Sequence, residues 1–212
     1  MEQKKLKRFK RILSIFVFAA AFITCSALSS NCSNSSKEVY PDTTQYVKPV
    51  ENIAVIDSAA VRDSIQKVIV AEVTDYLRTQ SPKAHKFIPK YLVHAGLTHN
   101  IDICFMMAQT QIETNYGTVG AGRESSRRSL FGVVTRKYDN YEIAINDYCR
   151  ILKKSYLVKG KTEKHLMTKY VTIRGARYAG DPNYEAHLSK TYNEIVKRTK
   201  IQGLQQEWKR HL

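Results

Sequence analysis

The sequence predicts a mostly α-helical fold, a single compact helical domain with at most a minimal β element, and three observations support this. Apolar residues recur at helical spacing in separate stretches near 61–77, 101–112, 141–156 and 184–196. Capping residues and helix breakers bound these stretches. Only Leu130-Phe131-Gly132-Val133-Val134 has strand character, and no neighbouring run offers it a partner. With 43% hydrophobic residues and 13 Tyr among 212 residues, the chain can bury a substantial core.

Residues 1–25 stand apart. Lys4, Lys5, Lys7, Arg8, Lys10 and Arg11 form a basic start, followed by an apolar run from Ile12 to Ile23. This reads as an export signal or lipoprotein signal, because the run is short for a membrane span and ends abruptly. Cys25 or Cys32 could accept a lipid and anchor the chain to a membrane, while Ala27-Leu28-Ser29 could be an ordinary cleavage site. Residues 26–56 are rich in Ser, Asn, Thr and Pro without a sustained period, and read as a flexible tether.

The domain is expected over 57–212. Asp57 is a plausible cap for a helix with Val61, Ile65, Val68, Ile69, Val73, Tyr76 and Leu77 on one face, stopped before Pro82. A short helical or irregular piece from Phe87 to His94 follows, interrupted by Pro89 and closed by Gly96. Asn100 can then start an amphipathic helix with Ile101, Phe105, Ala108 and Ile112 on one face, and Gly117 can stop it. A polar loop with Gly120, Gly122, Arg123, Arg127 and Arg128 leads to Leu130 and Phe131. Asp139 or Asn140 caps the next helix, whose face carries Tyr141, Ala144, Ile145, Tyr148, Ile151, Leu152 and Tyr156. A weaker helix is expected from Thr162 to Val171. Asp181 and Pro182 would open the last, lined by Tyr184, Leu188, Tyr192, Ile195 and Val196. The basic tail from Lys197 to Leu212, with Trp208, reads as exposed and of unassigned structure.

Charge narrows the partners. The formal net charge is +15, and the chain stays strongly basic without its first 25 residues. An exported basic protein suits an anionic cell-wall polymer or membrane surface, and export argues against nucleic acid. After Arg11 no compact Lys/Arg run with interleaved aromatics is evident. The six His (His85, His94, His99, His165, His187, His211) lack metal-ligand spacing, so neither metal nor cofactor is implied. Cys104 and Cys149 fall on two different helices and could pair or stay buried as thiols.

Glu113 is the candidate for chemistry. It lies in the last turn of its helix, beside the apolar stripe, where burial and the negative helix end both disfavour ionisation. Such a carboxyl can serve as a general acid near neutral pH. Periodicity alone favours a solvated Glu at a helix end, and the rest of the chain shifts the balance.

Several motifs then occur in a telling order. Ala108-Gln109-x-x-x-Glu113 is followed by Tyr116-Gly117, Leu130-Phe131-Gly132, Tyr138-x-x-Tyr141 and Ala144-Ile145-x-Asp147-Tyr148. Arg177-Tyr178-Ala179-Gly180-Asp181-Pro182-Asn183-Tyr184 closes the series. Over residues 95–196 this order resembles the peptidoglycan-cleaving endo-β-N-acetylglucosaminidases, which include bacterial autolysins and the hydrolase domain of flagellar rod proteins. The resemblance implies a lysozyme-like fold and hydrolysis of the β-1,4 bond after N-acetylglucosamine in glycan strands. It makes Glu113 the general acid and places Tyr178 beside the reacting sugar. Gln109, Asn115, Tyr116, Phe131, Asp181 and Tyr184 are candidate sugar contacts. The segment after Gly132 is too short for the hairpin that can supply a second acid, which leaves Glu124 as the candidate, or the substrate's own 2-acetamido group. An envelope protein partner could also complete the cleft. A lytic transglycosylase, or an inactive peptidoglycan-binding or scaffold domain, are the rival readings. The expected location is the periplasm or cell envelope.

Overall fold

Asp57 opens the first helix by accepting from the backbone N–H of Ala59 and Ala60 at 2.9 and 3.3 Å. It belongs to a computed structural model that describes residues 57–124, 128–132, 136–168 and 179–212. The expected signal, tether, Cys25 and Cys32 lie outside these residues. Helix α1 spans Ser58–Gln80 and buries Ile69, Val73, Tyr76 and Leu77. Val68 stays exposed, so the inward stripe is narrower than the sequence implied.

Helix α2, Ile88–Thr98, is longer and more regular than expected. Pro89 sits in its first turn, where no N–H is needed for an intrahelical bond. Gly96 does not close it: a Cβ there would lie 2.6 Å from Ile103 Cγ1, so glycine permits close packing.

Helix α3, Ile103–Thr114, is the central element. Every residue from Ile103 to Thr110 is buried, so the helix is enclosed on all sides instead of one face. Its cap is Asp102, which accepts from Phe105 N–H at 3.1 Å, and not Asn100. Asn100 occupies a left-handed turn (φ 49°) just before it. The helix also ends earlier than Gly117. Asn115, Tyr116 and Gly117 have φ of 45°, 56° and 81°, and Tyr116 N–H closes back on Thr110 C=O.

Helix α4, Gly120–Arg123, forms one turn within the expected polar loop. Leu130 and Phe131 lie in a buried turn, and no strand occurs among the described residues. Val133 and Val134 fall outside them. Helix α5, Tyr141–Ser155, is capped by Asn140, which accepts from Ile143 N–H at 2.9 Å; Asp139 is not its cap. Helix α6 covers Glu163–Leu166, and the expected end at Val171 lies outside the described residues. Helix α7, Tyr184–Arg198, starts two residues beyond Pro182. Asp181 instead accepts from Asn183 N–H at 2.8 Å, shaping the approach to the helix.

The tail forms helix α8, Ile201–Arg210, which buries Ile201 and Gln205. Trp208 is partly buried against the core, contrary to its expected exposure. Gln205 donates to Ile101 C=O at 2.7 Å and accepts from Ile103 N–H at 3.0 Å, fastening α8 to the start of α3. Helices α2, α4, α7 and α8 contact α3, α1 bridges α2 and α8, and α5 packs on α2. The mostly α reading therefore holds. Cys104 and Cys149 are buried free thiols, which removes the disulfide option. No described helix is long and apolar enough to cross a membrane.

Candidate active site

The site begins where the enclosure of α3 ends. Gln111, Ile112 and Glu113 are its first partly exposed residues after two buried turns. Gln109 and Glu113, one helical turn apart, share the side that meets α7. Tyr184, the first residue of α7, donates its hydroxyl to Glu113 Oε1 at 2.7 Å. Gln109 Nε2 donates to the same hydroxyl oxygen at 3.4 Å. The result is a chain from Gln109 through Tyr184 to the carboxyl.

Gly132 covers the other carboxyl oxygen. A Cβ at residue 132 would lie 2.5 Å from Glu113 Oε2, and its φ is +69°. The backbone can come this close only because residue 132 has no side chain. Its loop is held from both sides. Thr114 donates to Leu130 C=O at 2.8 Å and accepts from Gly117 N–H at 3.0 Å. Phe131 stacks on Tyr148 with centroids 3.6 Å apart and an interplanar angle of 3°.

Burial pushes the Glu113 carboxyl above the ordinary carboxylate range, and the Tyr184 hydrogen bond only partly opposes the shift. The α3 C-terminus adds a partial negative charge that acts in the same direction. This is a carboxyl prepared to keep its proton.

The expected sugar contacts separate into groups. Tyr116 is fully buried and bonds Gln111 Oε1 at 3.2 Å, so it is a core residue and not a sugar contact. Asn115 terminates α3 and donates to Thr118 Oγ1 at 3.1 Å, which makes it a structural cap. Phe131 is 5% exposed and used in stacking, so it supports the site from beneath and is not available to a sugar. Gln109 is 2% exposed and acts through Tyr184. Tyr184 touches the acid itself, a nearer role than sugar binding. Asp181 is exposed at the entry to α7. Tyr178 lies outside the described residues.

Glu124 is exposed at the end of α4. Asp147 accepts from Tyr138 at 2.9 Å and is paired with Arg136 and Arg150. Burial opposes its ionisation, but the hydrogen bonds from Arg150, Tyr138 and Arg136 outweigh it and hold the carboxyl below its usual range. Among the described residues, no second carboxylate is hydrogen-bonded into the Glu113 cluster, and no group of His, Cys, Asp and Glu could hold a metal.

Sequence reasoning missed the roles of Thr114 and Gly132. Gly132 was visible only as the last residue of the Leu130-Phe131-Gly132 motif and Thr114 only as the neighbour of Glu113, and the fold sets Thr114 against Leu130 and Gly132 against Glu113.

No curated protein and no solved structure gives a significant match to this chain. The family model described as mannosyl-glycoprotein endo-beta-N-acetylglucosaminidase matches residues 90–197, just over half of the sequence. That span runs from α2 through α7 and takes in Glu113, Gly132 and Tyr184 alike. The half-buried acid, the loop that covers it and the tyrosine that holds it are thus all parts of one matched domain, and the chain belongs to this glucosaminidase family of glycoside hydrolases.

Proposed function

We propose that this chain hydrolyses the β-1,4 bond after N-acetylglucosamine in peptidoglycan, with Glu113 as general acid. The observation that carries the reading is the Glu113 carboxyl, held by Tyr184, covered by Gly132 and raised in pKa by burial. Protonated Glu113 gives its proton to the departing glycosidic oxygen. The substrate's 2-acetamido oxygen attacks the anomeric carbon and closes an oxazolinium ring, and the leaving sugar departs with the proton. Water then opens the ring while the Glu113 carboxylate accepts the water's proton, restoring the acid. Among the described residues no second carboxylate is hydrogen-bonded to Glu113 or Tyr184, which favours this assistance over a two-carboxylate mechanism. Tyr178 stabilises the developing positive charge, and Glu124 swinging in on its loop is the alternative route to an activated water.

The basic chain and its first 25 residues support a protein exported to the cell envelope, where the anionic wall is the available substrate. Cys25 or Cys32 then provides a point of membrane attachment, and an envelope protein can supply a missing part of the cleft.

The test is release of sugars from purified peptidoglycan by the full chain and by Glu113→Gln, identified by mass spectrometry. Reducing-end N-acetylglucosamine from the wild type, reduced by about 10²–10⁴-fold in the variant, is the expected result. Anhydro-ring products reassign the chain as a lytic transglycosylase. Polymer binding without any release reassigns it as a binding or scaffold domain.

A further inference from the structure

The turn after Glu113 connects to a second feature at the same end of α3. Ser81 Oγ donates to Asn115 C=O at 3.0 Å, tying the α1–α2 loop to that turn. Tyr141 donates to Gly122 C=O at 3.0 Å, and its ring would lie 3.5 Å from a Cβ on Gly117. His85 lies beside Tyr141 with ring centroids 5.4 Å apart, Phe87 beside His85 at 5.5 Å, and Tyr91 beside Phe87 at 6.1 Å. Four rings, each tilted by 48° to 58° from the next, therefore form a stepped ledge leading away from the turn after Glu113.

His85 and Phe87 are open to solvent, while Tyr91 and Tyr141 are half-buried against the core. Phe87 is 45% exposed, although it is a large apolar residue that the core could have buried. His85 is also exposed, and Lys86 places its ammonium 5.0 Å from the Phe87 ring centre. Lys90 adds a second exposed cation on the first turn of α2. This corrects the expectation that no basic run with interleaved aromatics follows Arg11: Lys83-Ala84-His85-Lys86-Phe87-Ile88-Pro89-Lys90-Tyr91 is one. His85 and Phe87 precede the residues matched by the family, so this part of the ledge belongs to the chain's own preceding segment.

We propose that this ledge is a glycan subsite that holds a peptidoglycan strand beyond the bond presented to Glu113. Pyranose rings expose C–H faces that pack on aromatic rings, whose faces carry partial negative charge. The lysines complement the lactyl and peptide carboxylates that decorate alternate sugars of such a strand. Continuity with the turn after Glu113 selects the substrate polymer as occupant over a separate protein. The inference rests on the proposed hydrolase reading and extends it to the path of the chain.

The test uses the full chain with Glu113→Gln, so that binding is read without turnover. Cosedimentation with purified peptidoglycan is measured for this protein and for the same protein carrying Phe87→Ala or Lys86→Ala. Phe87→Ala should weaken binding by about fivefold to tenfold, the loss of one aromatic contact. Lys86→Ala should weaken it less and flatten its salt dependence. With Glu113 intact, Phe87→Ala should raise KM for polymeric glycan while kcat stays unchanged. Thermal midpoints matching the parent's show that the fold is kept, and exposed Lys86 provides an arm that cannot fail through misfolding. Unchanged binding in both variants with an unchanged KM for Phe87→Ala overturns the ledge, even where sugar release still depends on Glu113. Ledge-dependent binding with no sugar release overturns the hydrolase and leaves a glycan-binding face.

Discussion

The burial that raises the Glu113 pKa costs the fold stability at neutral pH. Its folded carboxyl holds the proton more tightly than the unfolded one, so the native state loses stability as pH rises from the usual carboxyl range through the raised native value. Glu113→Gln should therefore melt at a higher temperature than wild type at pH 7, with the gap closing as pH falls below the ordinary carboxyl range. Calorimetry across pH checks this, and a pH-independent gap would rule out the buried acid. Tyr184 acts in the opposite direction by favouring the carboxylate. Tyr184→Phe should raise the Glu113 pKa further and move the alkaline limb of the pH–rate profile to higher pH, with only a few-fold change in peak rate. At Gly132, an Ala brings a left-handed backbone penalty of about 1–2 kcal/mol. It also forces the Glu113 carboxyl aside, and a displacement of that kind lowers turnover by about 10²-fold. Steady-state rates beside urea titrations separate the two effects.

At the scale of elements, the site is the meeting of three: the last turn of α3, the first residue of α7 and the 129–132 loop. Thr114 fastens the first to the third. Replacing it by Val keeps the shape and leaves the buried Leu130 carbonyl without its donor, at about 1–3 kcal/mol. Urea denaturation should read that loss, and a neutral result would place the loop's support in the Phe131–Tyr148 stack alone. The helices were legible because their periods are long and their caps chemical, as at Asp57 and Asn140. Boundaries read from single residues moved. Gly117 gave way to Asn115 because Asn tolerates the left-handed region, and Asp181 shapes a turn ahead of α7 instead of capping it. Tyr116 reads as a sugar contact beside a Gly, yet the three left-handed residues turn it into the core. Thr114 carries no signal of its own in one sequence and Gly132 only that of a motif's last residue, since their roles exist only across a gap of many residues.

Across the whole molecule, α3 is a buried axis whose two ends do different work. The far end is completed by Gln205, which pairs Ile101 C=O and Ile103 N–H together. Gln205→Leu keeps the volume and leaves both buried groups unpaired, for a loss of about 3 kcal/mol. Equilibrium unfolding should show the whole domain weakened in one transition, whereas loss confined to α8 would show that the two ends are uncoupled. The amphipathic stripe expected for α3 failed for a physical reason: its polar Gln109 and Thr110 are enclosed by hydrogen bonds, so polarity there does not mark a solvent face.

The Gln205 clamp also imposes an order in time. Ile103 and Gln205 are 102 positions apart in the chain, and Glu113 is made long before its helix can be locked. A ribosome that has synthesised the acid, the loop and the tyrosine still carries an unfinished support for all three. Until residue 205 has been added, Ile101 C=O and Ile103 N–H at the start of that helix have no Gln205 to pair with.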